Sequence, residues 1–179
     1  AFESGFDLFS VSKPFLDDEN LIFNYSEWIS NSFDAEMRYL REYELKKFDS
    51  RFVEPWVRSI IWVGVSYFNS SFHERPSEEY GRVSMYAWGA DYHYVVKRML
   101  ESFVSNLRKQ VSFDFKYRIF SDASPIYEKG FGVVSGIGFQ GKNTILINPG
   151  KLGSFFFLGE VLTDLNLEPT EPLEFKGCG

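Results

Sequence analysis

The chain has 179 residues, of which 44% are hydrophobic, and a formal net charge of -6. A chain of this length can bury one substantial core, so we expect one domain, and the acidic balance excludes a broad nucleic-acid surface while leaving room for local basic pockets. Its apolar runs are too short to span a membrane and no secretory leader is recognisable, so we expect a soluble protein without a membrane partner. The single cysteine, Cys178, excludes an internal disulfide framework and is typical of a reducing compartment, which predicts a cytoplasmic protein.

The first third of the chain predicts a strand and a helix. Residues 6–11 form a plausible first strand, and residues 26–48 combine apolar and charged positions in a way that favours a helix. Lys46, Lys47 and Arg51 form a small basic cluster at its end. Solvated surface is the favoured interpretation of this cluster, with phosphate or carboxylate binding as the alternative.

The middle of the chain predicts a central strand and a long helix. Residues 59–67 are apolar almost throughout, which is typical of a strand buried on both faces. An irregular, aromatic-rich connection over residues 80–90 follows, and Asp91 then caps a helix whose apolar residues recur every three or four positions. His93 falls in the first turn of that helix, where a hydrogen-bonded structural role is favoured over metal ligation.

An acidic residue follows the next predicted strand. Residues 113–119 alternate between apolar and charged side chains, so a half-buried strand is expected there, and Asp122 lies just beyond its end. Ser124 and Pro125 are a suitable N-cap and first residue for a helix that would run to Ser135 and end at Gly136. Asp122 is then either a loop or capping residue, or an ionised group held near a helix N-terminus.

A glycine-rich turn comes next, and two familiar motifs can be rejected for it. Gly136, Gly138 and Gly141 have the spacing of a dinucleotide fingerprint, but the order of strand and helix around them is reversed. The segment also lacks the hydroxyl of a phosphate-binding loop, because Asn143 stands in its place, and residues 144–147 favour a strand rather than a helix. The glycines therefore indicate a turn where the backbone approaches a ligand or another strand closely.

The last predicted strand leads into an acidic, proline-containing segment. Gly153 and Ser154 open the apolar run 155–158, which is interpreted as core rather than site except at this opening, and residues 164–179 are expected to lead away from the domain. The order of elements predicts an α+β fold in which a mixed sheet is packed by helices. The density of acidic, glycine-rich and turn-forming residues within 120–158 makes that stretch the expected ligand site.

Several motifs, taken together, resemble epoxyqueuosine reductase, a cobalamin-dependent tRNA-modification enzyme whose cofactor domain is related to reductive dehalogenases and resembles flavin reductases in fold. The motifs occur in the family's order and approximate spacing from about Gly5 to the last residue. They are Gly89-Ala90-Asp91-Tyr92-His93, Asp122 with Pro125 and Glu128, Gly136-Ile137-Gly138-Phe139-Gln140-Gly141-Lys142-Asn143, Gly153-Ser154-Phe155-Phe156-Phe157-Leu158-Gly159-Glu160, and Cys178-Gly179.

The resemblance implies a domain organisation and an activity. Residues 1–179 would form a single cobalamin-binding domain, with 165–179 as a connector towards an iron-sulfur domain and a C-terminal helical repeat. The enzyme would reduce epoxyqueuosine to queuosine at the wobble position of tRNA, with Asp122 as proton donor. Two 4Fe-4S clusters, or an external donor, would pass electrons to cobalt. We expect a monomer.

The resemblance also implies cofactor contacts and a cluster ligand. Lys47 matches a position that usually holds arginine, and Cys178 matches the first cysteine of the family's cluster motif. A cubane cluster needs four thiolates and this chain offers one, so we expect the isolated domain to be inactive. The chain begins with Ala1 rather than Met and stops one residue after Cys178, so we expect both ends to have been cut. The implied cofactor-binding residues are Lys47, Ser84, Tyr86, Asp122, Leu146, Asn148, Gly153, Ser154 and Leu158.

Two alternatives remain open at this stage. One is a cobalamin-binding or trafficking module without catalysis, which would not need an acid at Asp122. The other is a flavin-binding reductase domain, because an aromatic-rich connection could cover either planar ring. The absorption bands of the bound cofactor distinguish flavin from cobalamin.

Overall fold

A four-stranded sheet runs through the centre of the computed structural model, which describes residues 1–70, 81–150 and 152–174. The strand order is β1-β2-β6-β3, and every neighbouring pair is antiparallel. The predicted α+β class is therefore confirmed, but the sheet is antiparallel rather than mixed over the described residues. Its strands are β1 (Leu8–Ser12), β2 (Ser59–Ser66), β3 (Tyr117–Phe120) and β6 (Phe156–Thr163).

The central strand is β2, as its apolar sequence predicts. It pairs with β1 on one side and along its full length with β6 on the other. Successive side chains of a strand point to opposite faces, and both faces of β2 are buried here: Ile61 and Val63 pack on one side, and Ile60 and Trp62 on the other. This explains why β2 has no polar face.

Each face of the sheet has its own hydrophobic cluster. On the first face lies the long helix α4 (Tyr92–Gln110), which buries four apolar side chains and begins at the predicted cap, since the Asp91 carboxylate accepts a hydrogen bond from the His93 N–H at 3.0 Å. On the second face lie the helices α3 (Glu44–Phe48) and α5 (Glu128–Val134) and the two-stranded ribbon of β4 (Phe139–Gln140) and β5 (Leu146–Ile147). The second cluster includes Phe131, whose ring stacks on Trp62 with centroids 5.6 Å apart.

The helix expected over residues 26–48 is divided into three. These are α1 (Glu19–Ser30), α2 (Arg38–Glu42) and α3. The break lies between α1 and α2, where Ser32 and Ala35 have φ angles of 58° and 49°. Between them the buried Asp34 carboxylate pairs at 2.9 Å with Arg41, whose side chain is 50% exposed, so an ion pair and two left-handed residues interrupt the expected helix.

The helix expected from Pro125 begins three residues later. The Ser124 hydroxyl accepts a 3.4 Å hydrogen bond from the Ile126 N–H, and the Tyr127 N–H donates to the Lys47 carbonyl at 2.8 Å. These bonds hold the segment in a turn against α3, and α5 therefore starts at Glu128. Its predicted end is confirmed, because Gly136 adopts the left-handed φ of 78° that glycine allows after a helix.

The segment that follows β6 packs back onto the sheet through two backbone N–H groups. The Leu167 N–H donates to the Ser59 hydroxyl at 3.0 Å, and the Thr170 N–H donates to the Val11 carbonyl at 2.9 Å. Within the described ranges, no helix is long and apolar enough to cross a membrane.

Replacing Phe131 with alanine should lower the free energy of unfolding by about 3 to 5 kcal/mol, because the change removes a large buried side chain and leaves a cavity. Phe131 is 0% exposed and stacks on Trp62, which is itself fully buried. Urea denaturation followed by circular dichroism measures the difference. Phe113→Ala is the matched control, since Phe113 is 60% exposed. Equal losses in the two variants would contradict this account of the second core.

Candidate functional site

A cleft of about 190 Å³ opens where the start of β6, the start of α5 and the first turn of α4 meet. One wall is apolar, and carboxylates and a lysine stand at the other. The residues that line it are Tyr92, Asp122, Glu128, Lys129, Ile145, Leu146, Ser154, Phe156, Phe157 and Leu158.

Asp122 stands at the rim of this cleft in an unusual backbone conformation. It lies two residues beyond the end of β3 with a φ of 53°, in the left-handed region that aspartate tolerates better than most residues. Its side chain is 63% exposed, and one carboxylate oxygen accepts a 2.5 Å hydrogen bond from the Tyr92 hydroxyl. The loop thus presents an acid to any ligand placed over the cleft.

Tyr92 and His93 extend this arrangement across the start of α4. The Tyr92 ring stacks on Phe157, with centroids 4.2 Å apart and planes 3° from parallel, and the His93 ring stacks on Tyr92 at 4.0 Å. His93 Nε2 lies 3.8 Å from the Asp122 carboxylate, and its Nδ1 is 2.8 Å from Asp91. Burial, reinforced by the hydrogen bond to Asp122, raises the pKa of the Tyr92 hydroxyl. Tyr92 therefore remains a neutral hydrogen-bond donor to Asp122.

The Glu128 carboxyl in the cleft has a pKa close to neutral pH. Burial, and after it the negative charge of Asp122, raises the pKa of Glu128 to about 7, against the opposing charges of Lys47 and Lys129. Burial in turn lowers the pKa of the Lys47 ammonium. Glu128 therefore changes its charge near neutral pH, where an ordinary glutamate is already ionised.

Glu160 is a second acid, buried beneath the cleft in the middle of β6. Its side chain is 1% exposed, and among the described residues neither carboxyl oxygen has a partner in hydrogen-bond geometry. Burial raises its pKa well above the usual range, and the charge of Glu128 adds to this, while the nearby Ser124 hydroxyl lowers it in part. A charged Glu160 would have no hydrogen-bond partner among the described residues, so burial favours the protonated form of its carboxyl.

Most residues implied by the family resemblance surround this cleft. Leu146, Ser154 and Leu158 line it together with Asp122. Asn148 and Gly153 form the turn beside it, closed by a 2.8 Å hydrogen bond from the Asn148 N–H to the Gly153 carbonyl.

Three further residues implied by the resemblance lie away from the cleft wall. Lys47 is not part of the cleft wall, but its positive charge lowers the pKa of the Glu128 carboxyl. Ser84 and Tyr86 lie in and beside a short 3-10 turn outside the cleft, but Tyr86 is near enough to raise the pKa of Tyr67, after the larger effect of burial. Tyr67 contacts Phe157 with ring centroids 4.6 Å apart, so Tyr67 extends the aromatic surface beside the cleft.

The expected cluster ligand, Cys178, lies outside the described residues. Within the part of the chain that the structure describes, no group of three or more His, Cys, Asp or Glu side chains is arranged to hold a metal ion.

Sequence reasoning assigned no role to Tyr92, Glu128 or Glu160, although all three lie in motifs that carried the resemblance. Glu160 offered the clearest signal, because it interrupts a strand that is otherwise apolar. The run 155–158 was interpreted as core, but Phe156, Phe157 and Leu158 also line the cleft. A run of aromatic residues can thus serve a core and a binding surface at once.

Comparisons with known proteins agree with the resemblance. A family model described as epoxyqueuosine reductase QueG, DUF1730, matches residues 48–123, a segment that includes Asp122. An epoxyqueuosine reductase from Leadbetterella byssophila is 32% identical over 181 residues, which cover 100% of this chain and 57% of that protein. The chain spans about half the length of the curated relatives it matches.

Solved structures show the same fold. The structure of epoxyqueuosine reductase from Streptococcus thermophilus matches with a TM-score of 0.79 at 24% identity, over 100% of this chain and 47% of that one. An epoxyqueuosine reductase crystallised with an epoxyqueuosine-modified tRNA-Tyr stem loop matches with a TM-score of 0.73 at 21% identity, over 97% of this chain and 45% of that one.

Asp122→Asn should lower the pKa of Glu128, because it removes a neighbouring negative charge, and Lys47→Met should raise it, because it removes a positive one. Carbon-13 NMR of the glutamate side-chain carboxyls, followed as a function of pH, measures both shifts. Lys46→Met is the matched control, since the Lys46 ammonium lies over the Tyr43 ring at 5.0 Å. A Glu128 resonance that titrates near pH 4.5 in the wild type, the value of an unshifted carboxyl, would contradict the assignment.

Proposed function

Because this chain is a relative of the epoxyqueuosine reductases, we propose that it is the cobalamin-binding domain of an enzyme that reduces epoxyqueuosine to queuosine in tRNA. One observation in the structure carries the proposal: Asp122 stands at the rim of an apolar cleft with its carboxylate bonded to the Tyr92 hydroxyl at 2.5 Å. A carboxylic acid at this point can protonate an oxygen on a ligand that lies over the cleft.

The residues around the cleft suit a large, flat and mainly apolar cofactor such as the corrin ring. Leu146, Phe157 and Leu158 offer an apolar surface, and the Tyr67 side chain extends it through its contact with Phe157. Sites for such cofactors are predominantly apolar with a few placed polar groups. Ser154 and the turn of Asn148 and Gly153 provide polar groups at one edge. A side chain added at Gly153 would meet no atom within 4 Å, so this turn leaves open space beside the cleft.

The proposed reaction assigns one chemical task to the chain itself. Reduction of an epoxide to an alkene consumes two electrons and two protons and releases the oxygen as water. Cobalamin, when bound, supplies the electrons that break the carbon–oxygen bonds. Asp122 donates a proton to the oxygen, since an alkoxide is a poor leaving group, and Tyr92 holds the Asp122 side chain in place through their hydrogen bond.

The proposal extends to partners. The substrate would be tRNA that carries epoxyqueuosine at the wobble position, and electrons would come from 4Fe-4S clusters in a following domain or from an external donor. Cys178 would be the first cluster ligand and residues 165–179 the connector. The net charge of -6 suits a domain whose tRNA contacts are few or local. The protein would act as a monomer in the cytoplasm.

Titration with cob(II)alamin, followed by electron paramagnetic resonance, tests the cofactor. We expect binding without nitrogen superhyperfine splitting, because His93 is not among the residues that line the cleft, and its Nδ1 lies 2.8 Å from the Asp91 carboxylate. An axial nitrogen signal, or binding of flavin in preference to cobalamin, would contradict the assignment. Asp122→Asn should bind cobalamin as the wild type does, since the substitution preserves shape.

Asp122→Asn should lower the rate of epoxyqueuosine reduction by about 10²- to 10⁴-fold, the range typical of a lost general acid. The assay uses epoxyqueuosine-containing tRNA and a chemical reductant in place of a protein electron donor, with the protein that carries these 179 residues loaded with cobalamin. Asp17→Asn, in a different surface groove, is the matched control. An unchanged rate in Asp122→Asn would contradict the proposed role of Asp122, and a wild-type protein that binds cobalamin without reducing epoxyqueuosine would favour a binding or trafficking module.

A further inference from the structure

The chain that follows β6 turns back across the sheet. Residues 164–173, which we name the strap, come directly after β6 and are hydrogen-bonded to other parts of the sheet. We propose that the strap brings the following chain to the cleft edge formed by the turn of Asn148 and Gly153, and that Thr170 and Gly136 are its positioning residues. The inference rests on the proposed function, because it takes the following chain to be the electron-donating domain.

The strap is tied first beside β3 and then to β2. The N–H of Lys116, the residue before β3, donates to the Asp164 carboxylate at 2.9 Å, and the Asp164 N–H donates to the Lys116 carbonyl at 3.3 Å. The Leu167 N–H then donates to the hydroxyl of Ser59, the first residue of β2, at 3.0 Å. Leu165 and Leu167 also pack against the first hydrophobic cluster. The first half of the strap is therefore packed on the core.

Thr170 fastens the strap to the outer edge of β1. Strand β1 pairs with β2 on one side only, so its other side presents backbone groups that a further segment can bind. The Val11 N–H donates to the Thr170 hydroxyl at 3.0 Å, and the Val11 carbonyl accepts from the Thr170 N–H at 2.9 Å. One threonine thus bonds both backbone groups of a strand residue that is 5% exposed. The strap has crossed the sheet by this point.

Gly136 allows the strap to lie close to the end of α5. A β-carbon at this position would stand 2.5 Å from the Glu171 carbonyl oxygen, closer than such atoms approach one another in proteins. The sequence indicated that this glycine-rich turn admits a close backbone approach, and at Gly136 the approaching backbone is the strap. Glycine is therefore required here for two reasons, the left-handed φ of 78° and the contact with Glu171.

The contact at Gly136 connects the strap with the cleft. The carbonyl of the next residue, Ile137, accepts a 2.7 Å hydrogen bond from the Asn148 side-chain amide. Asn148 in turn pairs with Gly153 in the turn beside the cleft. Direct contacts therefore lead from Glu171 of the strap to this edge of the cleft.

The route of the strap shortens the path between the following chain and the cleft. Phe156 lines the cleft at the start of β6, and the eight residues of that strand place Thr163 about 23 Å away from it. Glu128 lines the cleft at the start of α5, and Gly136 lies only about 12 Å further along the same helix direction. The strap thus carries the chain from the far end of β6 to a point nearer the cleft.

A fixed path matters for electron transfer, because its rate falls steeply with the distance between donor and acceptor. A flexible segment of about ten residues has a root-mean-square end-to-end distance of about 16 to 19 Å, and prolines lengthen it. The strap contains Pro169 and Pro172. If it were free, it would hold a donor domain at a wide and variable distance from the cleft. The docked strap holds the start of that domain in one place.

Amide hydrogen exchange tests whether the strap is docked, without any cofactor. The amides of Val11, Leu167 and Thr170 should exchange slowly in the wild type, since each N–H is bonded. Thr170→Val should speed exchange at Val11 by about twofold to tenfold, the range for one lost hydrogen bond, and Thr170→Ser, which keeps the hydroxyl, should restore protection. Glu168→Gln, an exposed change within the strap, is the matched control. Rapid exchange of all three amides in the wild type would overturn the proposal.

Two further variants release the strap at other points. Ser59→Ala removes the acceptor of the Leu167 N–H and should speed exchange at Leu167 without touching the turn at the cleft. Gly136→Ala should speed exchange throughout the second half of the strap, because its β-carbon would displace the Glu171 carbonyl. If exchange in the strap were the same in both variants as in the wild type, these contacts would not be what holds it.

The positioning role is tested in the natural protein with its iron-sulfur domain and bound cobalamin. Absorption follows the reduction of cobalamin, first with electrons supplied through the clusters and then with a small chemical reductant that needs no donor domain. The double variant Thr170→Val with Ser59→Ala should slow the first reaction by at least about tenfold, since a released donor would occupy the productive position for about a tenth of the time or less. The second reaction should keep its wild-type rate. Thr170→Ser should keep both rates.

The outcomes separate this inference from the proposed function. If the wild type, loaded with cobalamin and a chemical reductant, does not reduce epoxyqueuosine, the proposed function fails and the positioning role fails with it. If the wild type is active and the double variant takes electrons from the clusters at the wild-type rate although its strap exchanges faster, the positioning role is wrong and the proposed function stands. Equal slowing of both reactions would show that the strap supports the cleft itself rather than the donor.

Discussion

The pairing of β2 with β6 is the constraint on which the rest of the structure depends. Eight residue pairs join the two strands, from Ser59 with Thr163 to Ser66 with Phe156, and both faces of the ladder are covered. Because the register is fixed over this length, a shift by one residue would move every β6 side chain to the opposite face. The ladder thereby positions Phe156, Phe157 and Leu158 at the cleft and Glu160 beneath it.

The same ladder places the Glu160 carboxyl in the core, where a buried charge would destabilise the fold. The second face of the sheet gains its cohesion from the stacked rings of Trp62 and Phe131, and a carboxyl group in that setting weakens the core unless it stays neutral. Burial raises the pKa of Glu160 well above its usual range, and this favours the neutral form that an apolar core can accommodate.

Several elements of the fold could be predicted from the sequence, because its strongest patterns are local. The apolar run of β2, the capped helix α4 and the turn at Gly136 each depend on neighbouring residues, and each lies where the pattern indicated. The continuous helix predicted over residues 26–48 was wrong, because Ser32 and Ala35 adopt left-handed φ angles on either side of Asp34, whose buried carboxylate pairs with the half-exposed Arg41. Such pairs depend on tertiary packing, which a periodic pattern does not contain.

The candidate site was only partly predictable for the same reason. Family resemblance indicated Asp122, Leu146, Ser154 and Leu158, and the structure brings these together around one cleft. The stacking of Tyr92 on Phe157 joins residues 65 positions apart in sequence, so no local pattern could reveal it.

The left-handed backbone of Asp122 also affects how alanine scanning of this loop would be interpreted. Alanine has no short polar side chain that can bond to the local backbone, so at a φ of 53° it would add conformational strain to the loss of the carboxylate. A glycine would relax the same turn and enlarge the ensemble of loop conformations. The two conventional truncations would thus disturb loop geometry in opposite directions, and neither would isolate the chemistry of the acid from the shape of the loop that carries it.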